Sequence, residues 1–307
     1  MKPFISICIP AYKNTAYLAV LLRSIACQTF TDYEVVITDD SPDDTVSVLC
    51  KEYETKFHLV HHKNLIVKGS PANWNVSIRM AKGTWIKTMH DDDWFADEHS
   101  LEKFAKAAYD NPDAGFIFSG YSNYENGKVK NVSIPGTYVE RALKKSTLNL
   151  FKKNYIGHPS TTLIKNDKED WYDEQTKWVV DFEFYIRCLN ATPFYIIQEP
   201  LINIGINESQ ITKTVFGDIA TVLPENLYLL QKMGTGILKN INVYDHFWRL
   251  FRNFNIRTIA EVENYAGNFE IPAEIKKMLQ MQIKIPLAVL HTGVFSKLLM
   301  TVSFYKN

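Results

Sequence analysis

The stretch Gly83-Thr84-Trp85-Ile86-Lys87-Thr88-Met89-His90-Asp91-Asp92-Asp93-Trp94 decides how this chain is read. Gly83 is a breaker. The run from Thr84 to Met89 has the length and apolar content of a buried strand. It ends in three consecutive carboxylates. Adjacent carboxylates repel one another, so a fold that gathers them usually supplies a cation. Hard divalent ions such as Mg²⁺ and Mn²⁺ take oxygen ligands, often one or two carboxylates, with substrate phosphates completing the shell. The competing reading is a solvated turn that caps a helix starting near Asp97. An apolar strand before the triplet and Trp94 behind it set the two readings level.

The same pattern recurs upstream. Phe4 to Ile9 is an apolar run closed by Pro10, and Glu34 to Thr38 is another, ending in Asp39-Asp40-Ser41-Pro42-Asp43. A third strand is expected over Phe57 to His61. Between these runs, Leu18, Leu21, Leu22 and Ile25 repeat at helical spacing behind Asn14 or Thr15. Val46, Leu49 and Tyr53 mark a second helix, and Asn73 to Ala81 a third. Strand and helix in alternation predict an α/β fold with a mostly parallel sheet covered on both faces. In such sheets ligands bind outside the carboxyl ends of the strands, near a switch in strand order. Both acidic clusters fall at strand carboxyl ends and are expected to share one site. Taken alone, Asp39-Asp40 is ordinary turn chemistry.

Further along, Ala114 to Ser119 is expected as a strand, Tyr121 to Pro135 as a loop, Asp181 to Leu189 as a helix and Phe194 to Ile197 as a strand. Asp181 and Glu183 open their helix beside aromatic residues. They fit either helix-dipole stabilisation or a general base in a partly apolar pocket. After about Thr214 the chain turns helical, over Ala220 to Met233, Ile241 to Ile256 and Pro272 to Met281. The expected division is a main domain over 1–215 and a helical C-terminal region over 216–307. The apolar residues between Ile283 and Tyr305, including Val294, Phe295 and Leu298, are expected to be buried against the main domain. The alternative is an interfacial helix near a lipid-linked acceptor.

Composition narrows the classes. The chain has 307 residues, 46% of them hydrophobic, with 34 basic and 34 acidic side chains. That balance argues against a general nucleic-acid binder. Cys8, Cys27 and Cys50 sit in apolar stretches and are expected as buried free thiols. No apolar run is long enough to span a bilayer, and the N-terminal run is too short for a signal-peptide core. A cytoplasmic location is expected, with peripheral contact at the inner face of the membrane if the C-terminal region is interfacial.

Taken in order, these segments resemble the bacterial glycosyltransferases of family 2. Ser6-Ile7-Cys8-Ile9-Pro10-Ala11-Tyr12-Lys13-Asn14 is similar to the family's opening segment. Ser24 to Phe30, Tyr33 to Ser41, Asn75 to Gly83 and Val180 to Arg187 are similar to its later ones. The resemblance implies a GT-A fold with a C-terminal helical appendage. It implies inverting transfer of a sugar from a nucleotide-diphosphate sugar, by family frequency a UDP-sugar, to a glycan or lipid-linked acceptor in bacterial surface polysaccharide synthesis. Residue by residue, it implies that Pro10 and Tyr12 frame the base, and that Asp39 and Asp40 bind base and ribose. Asn75 and Asp91 fall on the nucleotide side. Asp92 would be the principal ligand of Mn²⁺ or Mg²⁺. Asp93, Trp94, His158 and Glu183 would lie by the donor sugar and acceptor, and Asp181 would be the catalytic base.

The chain departs from the family pattern at three places. His90 stands where the family has Asp, Trp74 where it has Arg, and the segment Asn203 to Asn207 where it has an Arg-x-His motif. These departures keep open a second reading, a catalytically silent sugar-binding or scaffold subunit. A sugar nucleotidyltransferase would need a basic triphosphate loop near the N-terminus, where Pro10 to Tyr17 offers only Lys13.

Overall fold

The computed structural model describes residues 2–167, 169–207, 215 and 217–307. Four strands pair in parallel in the order β3-β2-β1-β4: β1 (Ile5–Ala11), β2 (Tyr33–Asp39), β3 (Leu59–Lys63) and β4 (Trp85–Thr88). The first two are buried along nearly their whole length, as strands covered on both faces must be. The crossovers are helices α1 (Thr15–Ala26), α2 (Thr45–Lys51) and α3 (Ala72–Met80). Helix α1 turns Leu18, Leu21, Leu22 and Ile25 into the core, the four positions that the helical spacing singles out.

Beyond β4 the sheet becomes mixed. The later elements are β5 (Asp93–Phe95), α4 (Ser100–Asp110), β6 (Phe116–Glu125), β7 (Lys128–Ser133), α5 (Thr137–Lys145), β8 (Thr162–Lys165), α6 (Val180–Ala191) and β9 (Phe194–Ile206). Strand β8 is antiparallel to both β4 and β6, β6 runs parallel to β9, and β5 is antiparallel to β9. The sheet order across the molecule is β3-β2-β1-β4-β8-β6-β9-β5, with β7 paired on β6. Residues 89–92 therefore carry the chain from mid-sheet at β4 to the far edge at β5.

Several expectations are corrected. The segment Tyr121 to Pro135, expected as a loop, is mostly the β6–β7 hairpin. Its turn is Asn126-Gly127, with φ of 52° and 75°. An Asn-Gly pair in left-handed backbone is the chemistry of a tight hairpin, and that signal lay in the sequence. Strand β9 continues nine residues past Ile197, because Leu201, Ile202 and Ile204 pack into the main core. Cys27 is exposed, since it sits just past the end of α1.

The chain divides into two compact units. The first comprises Met1–Lys144, Tyr155–Gln175 and Val180–Glu208, and the second Lys145–Asn154, Thr176–Val179 and Ser209–Asn307. In the second, helices Ile219–Met233, Ile241–Asn253, Ala273–Gln282 and Gly293–Lys306 pack around Phe247, Trp248, Phe251 and Leu279. Glu225 accepts backbone N–H bonds from Lys177, Trp178 and Val179 at 2.9, 2.7 and 3.2 Å. The last helix reverses the expected burial. Its inner side carries Ser296, which accepts from Trp248 Nε1, together with Met300 and Ser303. Val294, Phe295, Leu298 and Val302 are exposed. Hydrogen bonding to Trp248 and Tyr244 fixes that rotation and turns the apolar row outward. Among the described residues, no helix is long and apolar enough to cross a membrane.

Candidate active site

The carboxyl ends of β1, β2 and β4 meet in the first unit. Just past β1, Tyr12 is about half exposed at 49%, and its backbone N–H points to Asp91 Oδ2 at 3.4 Å. Lys13 takes a left-handed φ of 63° and donates its N–H to Ser41 Oγ at 2.8 Å. Its ammonium lies 4.8 Å from the Tyr12 ring centre. The Asp40 N–H donates to the carbonyl of Ala11 at 3.0 Å. These bonds join the Pro10–Tyr12 segment to both acidic clusters.

The first cluster is turned toward protein donors. Asp39 is fully buried; it accepts from the Ser41 N–H at 2.7 Å and faces His61 Nε2 at 3.4 Å. Burial pushes its pKa up, but the bonds from His61 and Ser41 prevail and hold it below the usual carboxylate value. Asp40 accepts from Asn64 Nδ2 at 2.8 Å and from the backbone N–H groups of Lys68 and Gly69 at 3.1 and 2.8 Å. The loop after β3 is thus folded around one carboxylate.

The second cluster is arranged differently. One ligand atom from each of His90, Asp92 and Asp93 lies within 4.8 Å of the other two. Asp93 opens β5 and is buried, accepting from the Gly205 N–H at 3.2 Å. Asp92 accepts from Asn207 Nδ2 at 2.8 Å. A side chain at Gly205 would collide with the carbonyl oxygen of Asp92, so β9 lies directly against the acidic turn. Burial, and then the charge of Asp92, push Asp91 up to about 7 and Asp93 well above the carboxylate range. A divalent cation offsets both effects. His90 adds a nitrogen donor whose Nε2 is buried with no hydrogen-bond partner among the described residues. By donor chemistry these residues fit a divalent cation.

The support beneath this turn is polar. The His90 N–H donates to Ser160 Oγ at 3.0 Å. Lys87, fully buried in β4, donates its ammonium to the carbonyl of Ser160 and lies 4.8 Å from the ring centre of Phe104. Burial lowers its pKa to about 7, with Asp93 opposing. Burial also brings His90 and His158 down to about 4, so both imidazoles are neutral near pH 7. His158 feels the charge of Asp92 and meets the Tyr121 ring edge-on at 5.4 Å. Trp94 packs on Tyr124 at 5.1 Å.

Asp181 stands in the first turn of α6 and accepts from the Phe182 N–H at 2.9 Å. Burial raises its pKa to about 6. Tyr172 and Tyr185 lie close enough to feel its charge. The Trp74 ring links this corner to the acidic turn, 5.1 Å from Tyr172 and 4.6 Å from His90. Two residues that the resemblance puts beside substrate are engaged by protein partners. Glu183 is buried in a 3.1 Å ion pair with Arg187, which also donates to the carbonyls of Asp170 and Trp171. The Asn75 amide donates to the Tyr172 carbonyl at 2.7 Å and to Glu174 at 2.9 Å, and accepts from the Tyr172 N–H at 3.1 Å. Both brace the 170–174 segment.

Sequence reasoning missed Lys87 and Ser160. A lone lysine inside the apolar run Trp85–Met89 was the available signal for Lys87, because a buried ammonium needs partners. Ser160 had none; it reaches the acidic turn only through the β8 pairing.

A mixed sheet with an acidic turn at the carboxyl end of β4 defines a GT-A architecture. Residues 6–170, more than half the chain, match the sequence model of Glycosyl transferase family 2, and the chain belongs to that family. It is 30% identical over 205 residues to an uncharacterized glycosyltransferase of Haemophilus influenzae, covering 64% of this chain and 66% of that relative. Among solved structures it is similar to residues 1–349 of Staphylococcus aureus TarS in complex with UDP-GlcNAc. That match has a TM-score of 0.68 and 18% identity, over 99% of this chain and 92% of the other. A mannosyltransferase from Pyrobaculum calidifontis, in complex with GDP-Man and Mn²⁺, matches with a TM-score of 0.56 and 14% identity, over 100% of this chain and 87% of the other.

Proposed function

We propose that this chain is an inverting, metal-dependent transferase that moves a sugar from a nucleotide-diphosphate donor, a UDP-sugar, to a hydroxyl of a glycan or lipid-linked acceptor. The observation that carries this reading is the pairing of two unlike carboxylate environments. The acidic turn at Asp91–Asp93 is loaded with mutually repelling charge, and Asp181 stands apart with a pKa near 6. The first suits a cation and a diphosphate, the second a general base. The relative crystallised with UDP-GlcNAc supports the nucleotide, and the neighbour holding Mn²⁺ supports the metal.

In this reading Pro10 and Tyr12 frame the base, and Asp39 and Asp40 shape the pocket for base and ribose. Asp91 lies on the nucleotide side, and Asp93, Trp94 and His158 lie toward the donor sugar. Asp92 is the principal cation ligand, and the bound cation supplies Lewis-acid neutralisation of the departing diphosphate. Asp181 takes the proton of the acceptor hydroxyl as its oxygen bonds to the anomeric carbon. The bond from that carbon to the diphosphate oxygen breaks with its electron pair, and the nucleoside diphosphate departs. Attack opposite the leaving group inverts the anomeric centre.

The helical C-terminal region, expected over 216–307, is proposed to take part in acceptor binding. The exposed row Val294, Phe295, Leu298 and Val302 supports contact with a lipid surface at the inner face of a membrane. Co-sedimentation with anionic liposomes that survives Leu298→Ser with Phe295→Ser would remove that contact.

The test of the main reading is a thermal-shift screen with UDP, GDP, dTDP and CMP, each with and without Mn²⁺, followed by donor turnover. A ligand that binds only the folded state raises the melting temperature. A metal-dependent shift with UDP and slow release of UDP from a UDP-sugar are expected. No shift with any nucleotide at millimolar ligand would favour a silent scaffold.

A further inference from the structure

The two departures at positions 74 and 90 lie against each other. The Trp74 and His90 rings are 4.6 Å apart. One ring nitrogen of His90 lies within 4.8 Å of the ligand oxygens of Asp92 and Asp93. Donors on opposite sides of a small divalent ion stand roughly 4.2 Å apart, twice a metal–oxygen bond of about 2.1 Å, so side-chain shifts of about half an ångström bring the three groups onto one ion. The His90 backbone is pinned by its N–H bond to Ser160. Its Nε2 is buried without a hydrogen-bond partner among the described residues.

We propose that His90 is a direct ligand of the divalent cation, giving this chain a mixed nitrogen–oxygen site that selects Mn²⁺ or Co²⁺ over Mg²⁺. This rests on the reading of Asp92 as a metal ligand. An all-carboxylate set suits Mg²⁺, Ca²⁺ and Mn²⁺ alike, whereas an imidazole nitrogen favours the later first-row ions. Trp74 acts as a positioning residue, closing one face of the ring where a longer cationic side chain would repel the ion.

The experiment is electron spin-echo spectroscopy of the whole protein loaded with Mn²⁺, alone and with UDP, using natural-abundance and ¹⁵N-histidine protein. Binding isotherms for Mn²⁺ and Mg²⁺ accompany it. Nitrogen modulation from a coordinated imidazole is expected in the wild type, shifting with the ¹⁵N label. It should be retained in His158→Gln and lost in His90→Asp. The wild type should bind Mn²⁺ at least about tenfold more tightly than Mg²⁺, and His90→Asp should erase that preference. The wild-type spectrum decides the matter even if a variant does not fold. Mn²⁺ bound without histidine modulation, but released by Asp92→Asn, would overturn the role of His90 and leave the metal site standing. No Mn²⁺ binding by the wild type in either condition would overturn both.

Discussion

Asp39-Asp40 and Asp91-Asp92-Asp93 look alike on paper and occupy equivalent places, each at the carboxyl end of a parallel strand. Their surroundings are opposite. The Asp40 carboxylate receives three N–H donors from a single loop, and Asp39 is held in its ionised form by Ser41 and His61. In the second cluster, Asp91 and Asp93 are pushed toward protonation by burial and by Asp92. In the first cluster protein donors outweigh burial. In the second, burial and mutual repulsion outweigh the donors from Tyr12, Ser160 and Gly205, a state that a cation would relieve. A run of aspartates is therefore a poor indicator of a metal until the donors around it have been counted.

The contrast can be broken by substitution. The largest effect is expected from Asp92→Asn. Loss of several kcal/mol of charge stabilisation corresponds to roughly a thousandfold fall in turnover, with the Mn²⁺-dependent thermal shift gone and the fold intact by circular dichroism. Turnover within tenfold of wild type would place the cation elsewhere. Asp181→Asn, outside both clusters, should lower kcat by at least about a hundredfold while nucleotide binding persists. Isothermal titration with UDP separates the two steps. The wild-type rate should fall as pH drops through about 6, where the Asp181 carboxylate takes up its proton. The stability sign is the reverse. A pKa raised above its unfolded value gives stability that is fully present below the ordinary carboxylate pKa and lost as pH rises through about 6. Asp181→Asn should therefore be the more stable protein at pH 8, by ~3 kcal/mol in chemical denaturation. A variant equally stable at pH 8 and pH 4 relative to wild type would contradict the burial of that carboxylate.

Smaller effects sharpen the comparison on the other side. Asp40→Ala should cost about 1–3 kcal/mol of stability, because three donors lose their acceptor, and should leave Mn²⁺ affinity unchanged. If stability is untouched and nucleotide binding is lost, Asp40 belongs with the ligand and not with the loop. Gly205→Ala should disturb the second cluster alone, weakening Mn²⁺ binding severalfold in a fluorescence-quench titration. Unchanged affinity would mean that the contact between Gly205 and Asp92 yields without cost.

Much of the architecture was legible in the first hundred residues. Short apolar runs and helical spacings such as Leu18, Leu21, Leu22 and Ile25 are set by local burial, which a linear pattern reports. The β6–β7 hairpin was legible too, through Asn126-Gly127, although β7 is polar and exposed along nearly its whole length and so lacks an apolar strand pattern. The extent of β9 was not. Its second half is specified by pairing with residues around 121–125 and 93–95, contacts distant in sequence. The site divides in the same way. The grouping of Asp92 with Asp93 could be read from adjacency. The brace formed by Asn75 and Glu183 could not, because their partners lie on the 170–174 segment. Ser160 beneath His90 could not be read either.

Residues 89–92 join strands that are four places apart in the sheet, β4 and β5. Laid flat, that gap is roughly 19 Å at about 4.8 Å per strand spacing. The five steps from Thr88 to Asp93 reach about 17 Å at full stretch. In a flat sheet the turn would fall short of the edge strand even at full stretch, so the sheet must curl until its middle and its edge approach each other. The turn is thus a tether of fixed length as well as a ligand loop. A single inserted residue there would add slack, letting the edge strand drift from the centre and uncoupling the curvature of the whole sheet from the spacing of its carboxylates.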